Sequence, residues 1–237
     1  MTTGKICAHR GLHTVLPENS LPALASAVAL GADEIEFGLW TTKDGILVAV
    51  PEEDLGKISD GTGNVKDYDY KELKKLDFGI KYGEKFKGLK IVSFEDVLRQ
   101  LGGRTVMNIY VCIWDGADNP IMIDRITGAV RKYGCEKSVY FTCGNKNSLK
   151  KAKEYAPDIS FCLHAGSDYM NVVDNALYAK ADRVQFLKPY FNAEMIEKAH
   201  KNGLVCGIYS SDEKSETEEF FAAGIDVVLT DDLLKML

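Results

Sequence analysis

Short runs rich in β-branched and other apolar residues recur along the chain, and longer stretches with apolar positions every three or four residues separate them. The runs predicted as strands are Lys5–Ala8, Glu34–Leu39, Val106–Ile113, Val139–Thr142, Ser160–Leu163, Arg183–Leu187, Val205–Tyr209 and Asp226–Leu229. Amphipathic spacing predicts helices such as Ser20–Leu30, Ile121–Lys132, Ser148–Tyr155, Ala193–Lys201 and Lys214–Ala223. Strand followed by helix, repeated, joins parallel strands through helical crossovers. Eight such strands predict an α/β fold that closes as a (β/α)8 TIM barrel.

One segment breaks the alternation. The apolar run Gly45–Val50 is separated from the second strand by only Trp40-Thr41-Thr42-Lys43-Asp44, too few residues for a crossover. It is predicted to return antiparallel, as a hairpin turned at Lys43-Asp44-Gly45. The polar, glycine-rich stretch that follows predicts an insertion at about residues 51–91, carrying one short helix at Tyr70–Leu76. In a barrel, such insertions sit on the face formed by the strand C-termini, where sites form. The expectation is one barrel domain over residues 1–237 with this insertion.

Composition narrows the choice of partner. Apolar residues are 46% and charged residues 27%, ordinary globular values. Lys plus Arg number 29 against 35 Asp plus Glu, for a net charge of −6. The chain lacks the basic surplus of a nucleic-acid binder, although a local pocket can still hold a small anion. No apolar run nears the roughly 18 residues of a membrane span, and no secretory signal is read at the start, so the expected location is cytoplasmic. The six cysteines form no C-x-x-C pair, and five lie in apolar strand-like runs, which predicts reduced, buried thiols.

An ordered series of motifs then carries a resemblance. It begins with Ala8-His9-Arg10-Gly11 and Pro17-Glu18-Asn19-Ser20, and continues through Gly31-Ala32-Asp33-Glu34-Ile35-Glu36 and Thr42-Lys43-Asp44-Gly45. Asp60-Gly61-Thr62-Gly63, Leu73-Lys74-Lys75-Leu76-Asp77, Ala199-His200-Lys201-Asn202-Gly203-Leu204 and Gly224-Ile225-Asp226-Val227-Val228-Leu229-Thr230-Asp231 complete it. Along nearly its whole length the chain resembles the glycerophosphodiester phosphodiesterase family. That resemblance implies a TIM barrel that hydrolyses glycerophosphodiesters to glycerol 3-phosphate and an alcohol, using a divalent cation and two histidines. The metal and an arginine would offset phosphate charge, and the imidazoles would move protons.

Several positions depart from the family pattern. His9, the first histidine, and Arg10, the phosphate position, are retained as the catalytic candidates. Glu36 matches the first metal carboxylate. The second would be two residues on, on the same strand face, and is Gly38. The third falls at Tyr110, and the family's lysine at Cys112. The second histidine would end the hairpin's return run, which here reads Leu47-Val48-Ala49-Val50-Pro51-Glu52. Glu36 alone is a poor cage for Mg²⁺ or Ca²⁺, so the expectation is no bound cofactor, although the resemblance implies one of these ions.

The ligand-binding candidates are Glu18, Glu36, Trp40, Tyr110, Trp114 and Tyr209. Strand parity puts Glu36, Gly38 and Trp40 on one face, and Asn108, Tyr110, Cys112 and Trp114 on another. Aromatic walls beside a carboxylate suit a glycerophosphodiester, a glycerol phosphate or an amine-bearing ligand. The leading expectation is a family-type scaffold of glycerophospholipid metabolism with a degraded metal and acid–base site and a retained pocket. An active phosphodiesterase with unusual metal ligands (Glu18, Glu52, Glu53, Asp54 or Asp115) and a shifted phosphate-ester hydrolase are the alternatives. His13 and His164 are further histidines near the strand ends.

Overall fold

The structure is a computed structural model and describes residues 4–112 and 120–237. Eight parallel strands close a ring: β1 (Lys5–Ala8), β2 (Glu34–Thr41), β5 (Val106–Val111), β6 (Val139–Cys143), β7 (Ser160–His164), β8 (Arg183–Leu187), β9 (Val205–Tyr209) and β10 (Val227–Thr230). Closure comes from β1, which pairs Cys7 with Glu34 of β2 and with Leu229 of β10. The chain is therefore a (β/α)8 barrel, as the alternating pattern predicts. Predicted strand Val106–Ile113 is seen to Val111, and Ile113 lies outside the described residues.

Between the strands run α1 (Leu21–Ala29), α4 (Phe94–Leu101), α5 (Pro120–Lys132), α6 (Lys146–Tyr155), α7 (Val172–Tyr178), α8 (Ala193–Lys201) and α9 (Lys214–Ala222), with α10 (Leu233–Met236) after the last strand. Their starts are locally encoded. Ser20, Ser93 and Asn192 accept backbone N–H bonds from Ala23, Asp96 and Met195, and Pro22 sits in the first turn of α1. The main core lies between strands and helices, where Ile35, Phe37, Leu39, Ile109 and Phe141 point outward and are fully buried. The opposite parity points into the barrel. There Glu34 accepts from Arg183 at 2.8 Å and from the Tyr140 hydroxyl at 2.7 Å.

The hairpin is present. β3 (Leu47–Ala49) runs antiparallel to β2, pairing Leu39 with Ala49 and Thr41 with Leu47. Gly45 turns it at φ +81°, a conformation that favours glycine. Two features go beyond the sequence reading. β4 (Val92–Ser93) adds to β3, but two residues are too few to show a strand period. The segment after the hairpin holds α2 (Leu55–Ile58) as well as α3 (Tyr70–Leu73), which is shorter than the predicted Tyr70–Leu76. Beyond Leu73 the chain is captured by Asp77, which accepts from the N–H groups of Gly79, Ile80 and Gly88. This segment packs its own cluster of Val48, Val50, Leu55, Ile58, Val65, Leu73, Phe78 and Ile91. Among the described residues no helix is long and apolar enough to cross a membrane. The described cysteines are thiols outside any disulfide; Cys112 is half-buried and the other five are buried.

Candidate active site

A cavity of about 600 Å³ opens at the C-terminal ends of the strands. His9 stands one residue beyond β1 and Asp231 one residue beyond β10. Because those strands pair, the two side chains meet, with His9 Nδ1 2.5 Å from Asp231 Oδ1. Asp212 fixes the Asp231 turn by accepting from Thr230 Oγ1, Asp231 N and Asp232 N at 2.7–3.1 Å. An imidazole that donates from Nδ1 presents Nε2 on its other side. Here Nε2 lies 3.7 Å from Glu36 Oε2.

The electrostatics follow from burial and pairing. Burial opposes charge on His9, but Glu36 and the hydrogen bond to Asp231 outweigh it and raise its pKa. Burial also raises Glu36, against the pull of His9 and the Arg10 N–H, which donates to Glu36 at 3.1 Å. Asp231 is lowered, chiefly by its bond to His9. The Tyr209 ring stands edge-on to His9, with centroids 5.0 Å apart.

The structure brings His9, Arg10, Glu36, Trp40, Tyr110 and Tyr209 around this one cavity. Glu18 does not line it. Its carboxylate holds the Arg10 guanidinium and accepts from the Tyr82 hydroxyl at 2.8 Å, so it positions Arg10 from the side. Trp40 also packs against the insertion's cluster, and its buried indole N–H has no partner among the described residues. Trp114 and Asp115 lie outside the described residues. Of the acidic run after the hairpin, Glu52 lines the cavity and pairs with Lys57, Glu53 pairs with Lys66, and Asp54 caps α2 through Gly56 N. His13 bonds the His9 carbonyl and approaches Asp231.

Sequence reasoning missed Asp231 and Asn19 as site residues. A carboxylate immediately after the last barrel strand was the available signal for Asp231, since residues there face the mouth. Asn19 is 1% exposed, lines the cavity, and has no partner for either amide atom among the described residues.

With the geometry in place, comparison with known proteins is decisive. The model of the glycerophosphoryl diester phosphodiesterase family matches residues 9–235. The chain belongs to this family. A glycerophosphodiester phosphodiesterase from Caldanaerobacter subterraneus is 34% identical over 235 residues, covering 96% of this chain and 93% of that one. Among solved structures, a glycerophosphodiester phosphodiesterase from Agrobacterium tumefaciens superposes with a TM-score of 0.83 at 23% identity, covering 99% of this chain and 100% of that one. A phosphodiesterase from Oleispira antarctica, solved with the product sn-glycerol-3-phosphate, gives 0.84 at 20% identity, covering 98% and 94%.

The family resemblance implies a divalent cation, and the side chains at its three ligand positions can be tested for fit. Glu36 offers a carboxylate. At Gly38 even a Cβ would lie 2.7 Å from the Val50 carbonyl oxygen, so this backbone leaves no room there for a side chain that could supply a second carboxylate. Tyr110 brings a phenol, hydrogen-bonded to His164 Nε2 at 3.2 Å. One carboxylate and a phenol do not fit a hard cation that takes six or more oxygens. Among the described residues, a group of three metal-competent side chains forms only at the opposite end of the barrel, at His200, Cys206 and Asp226. There Asp226 accepts from His200 Nε2 and Cys206 N, tying α8 to β9 and β10.

Proposed function

We propose that this protein is a glycerophosphodiester-family member that retains a pocket for a glycerol-phosphate-class ligand and has lost most of the family's metal-assisted hydrolysis. The observation that carries this reading is the Val50 carbonyl oxygen, 2.7 Å from where even a Cβ on Gly38 would stand. Arg10 and the His9–Asp231 pair supply charge and a positioned imidazole at the cavity floor. The positions for the second histidine and the lysine hold Pro51 and Cys112. Hydrolysis without a metal or a second proton-transfer group forgoes the largest sources of transition-state stabilisation. Its role lies with glycerophospholipid-derived molecules, as a single barrel unit with the 51–91 segment as insertion.

A second reading, an active phosphodiesterase, is favoured by the name of the 34% identical relative and by the intact His9–Glu36 pair. A hydrolysis assay decides between the two. Glycerophosphocholine is incubated with Mg²⁺, Ca²⁺ or Mn²⁺ and free choline is measured. The expected rate is on the order of 10²-fold or more below that of a family member with all three carboxylates. Metal-dependent turnover at a comparable rate, abolished by Glu36→Ala, establishes the second reading instead.

A further inference from the structure

We propose that His200, Cys206 and Asp226 form a zinc-binding site at the N-terminal end of the barrel, opposite the cavity, and that the bound ion clamps α8 to the sheet. The three side chains offer an imidazole nitrogen, a thiol sulfur and a carboxylate oxygen, all within 4.8 Å of one another. A mixed nitrogen, sulfur and oxygen set suits a borderline-soft tetrahedral ion such as Zn²⁺, whereas Mg²⁺ and Ca²⁺ take oxygens. The site is separate from the family's cation positions, which lie toward the other ends of the strands.

Three elements bring the ligands together. His200 stands in the last turn of α8, Cys206 is the second residue of β9, and Asp226 immediately precedes β10. Cys206 and Asp226 are locked side by side. Asp226 N donates to the Cys206 carbonyl at 2.8 Å, and Cys206 N donates to the Asp226 carboxylate at 2.7 Å. A carboxylate has acceptor capacity for that bond and a metal together, and such outer bonds orient metal ligands. Zinc bonds of about 2.0–2.3 Å set tetrahedral ligand atoms about 3.3–3.6 Å apart. His200 Nε2 and Asp226 Oδ2 are 3.0 Å apart, close to one such edge. Gly224, at φ +100°, lets the turn before β10 run against the imidazole, since a Cβ there would stand 3.6 Å from His200 Cε1.

A hydrogen-bonded tie between His200 and Asp226 needs no sulfur beside it; Cys206 turns that tie into a ligand set. The Cys206 thiol is fully buried, and burial together with Asp226 pushes it up to about 12. Zinc deprotonates a coordinating thiol outright. On binding, the S–H bond breaks, a Zn–S bond forms, and the proton leaves to solvent. His200 Nε2 exchanges its bond to Asp226 for the metal, with the ring proton carried on Nδ1. One thiolate and one carboxylate then offset the two positive charges of the ion. His200 is 41% exposed, which gives the ion an entry path and leaves the fourth position to water. A site on this face of a barrel serves stability rather than chemistry.

Titration of the reduced, metal-free full chain with Co²⁺, followed by absorption and then by displacement with Zn²⁺, tests this. The expected result is a near-ultraviolet thiolate-to-cobalt charge-transfer band that saturates at a single equivalent and is lost to Zn²⁺. The band reports only ions held by sulfur, so an ion at Glu36 does not contribute to it. Cys206→Ser abolishes the band, and His200→Gln weakens binding about tenfold or more. Calorimetry in buffers of different ionisation enthalpy counts about one proton released per Zn²⁺. Zn²⁺ at about a hundredfold above its Kd raises the melting temperature by about 5 °C, and Mg²⁺ does not. Should Cys206→Ser fail to fold, His200→Gln, at an exposed position, and the proton count carry the test. Absence of the band, a band that Cys206→Ser retains, or an affinity that His200→Gln leaves unchanged overturns the proposal. A zinc-bound protein that melts no higher than the metal-free one overturns the clamp.

Discussion

Asp231 decides which nitrogen of His9 faces the cavity. A short bond from Nδ1 fixes the tautomer, and the opposed carboxylates of Asp231 and Glu36 favour the charged ring despite its burial. His9 therefore contributes stability that is fully present below the ordinary imidazole value and is lost as pH rises through its raised folded value. Asp231→Asn removes one of the two raising partners. The His9 titration followed by imidazole NMR should move down by about one pH unit or more. An unchanged midpoint would mean that Glu36 alone holds the proton. At this same scale, the retained His9, Arg10 and Glu36 were legible as motif residues. The partner of His9 was not, because 222 positions separate it from Asp231 and no spacing rule spans that distance.

At the scale of elements, the strands were the most legible features. Each barrel strand is a short apolar run with helices on one side and a filled interior on the other, and that environment writes itself into composition and parity. The hairpin was legible for a different reason: five intervening residues cannot carry a crossover. The 51–91 segment was the least legible, because its order comes from side-chain-to-backbone bonds rather than from periodicity. Asp77 shows this. Backbone N–H groups of Gly88, Gly79 and Ile80 hold its carboxylate below the ordinary range. The stabilisation is present above the ordinary aspartate value, about 3.9, and is lost as pH falls through the lowered folded value. Asp77→Ala should therefore speed hydrogen exchange at Gly79, Ile80 and Gly88 several-fold at neutral pH while leaving the barrel strands protected. Tyr82, which donates to Glu18, is the link by which loosening of this segment would reach Arg10.

Over the whole molecule, the barrel is stitched through its interior as well as around its wall. Glu34 of β2 is fully buried, and Arg183 of β8 and Tyr140 of β6 reach it across the barrel floor, with the guanidinium 3.9 Å over the Tyr140 ring. Removing one member of a buried ion pair leaves the other charge uncompensated. Arg183→Met should lower stability to urea by about 3–5 kcal/mol, whereas the paired change Arg183→Met with Glu34→Gln should recover part of that loss. Equal losses in the single and double variants would show that Arg183 acts through packing alone.

Alternation of apolar runs and amphipathic stretches by itself determined the barrel, because each strand's two faces see different surroundings and the residues record both. The motif series likewise marked the family. What surrounds the family's site positions was decided only in three dimensions. The Val50 carbonyl meets Gly38, and Tyr110 meets His164 from 54 positions away. Glu18 turns from the cavity to Arg10 and Tyr82. Such meetings depend on ring closure and on where the hairpin returns, and these arise from packing over the whole chain rather than from any local run of residues.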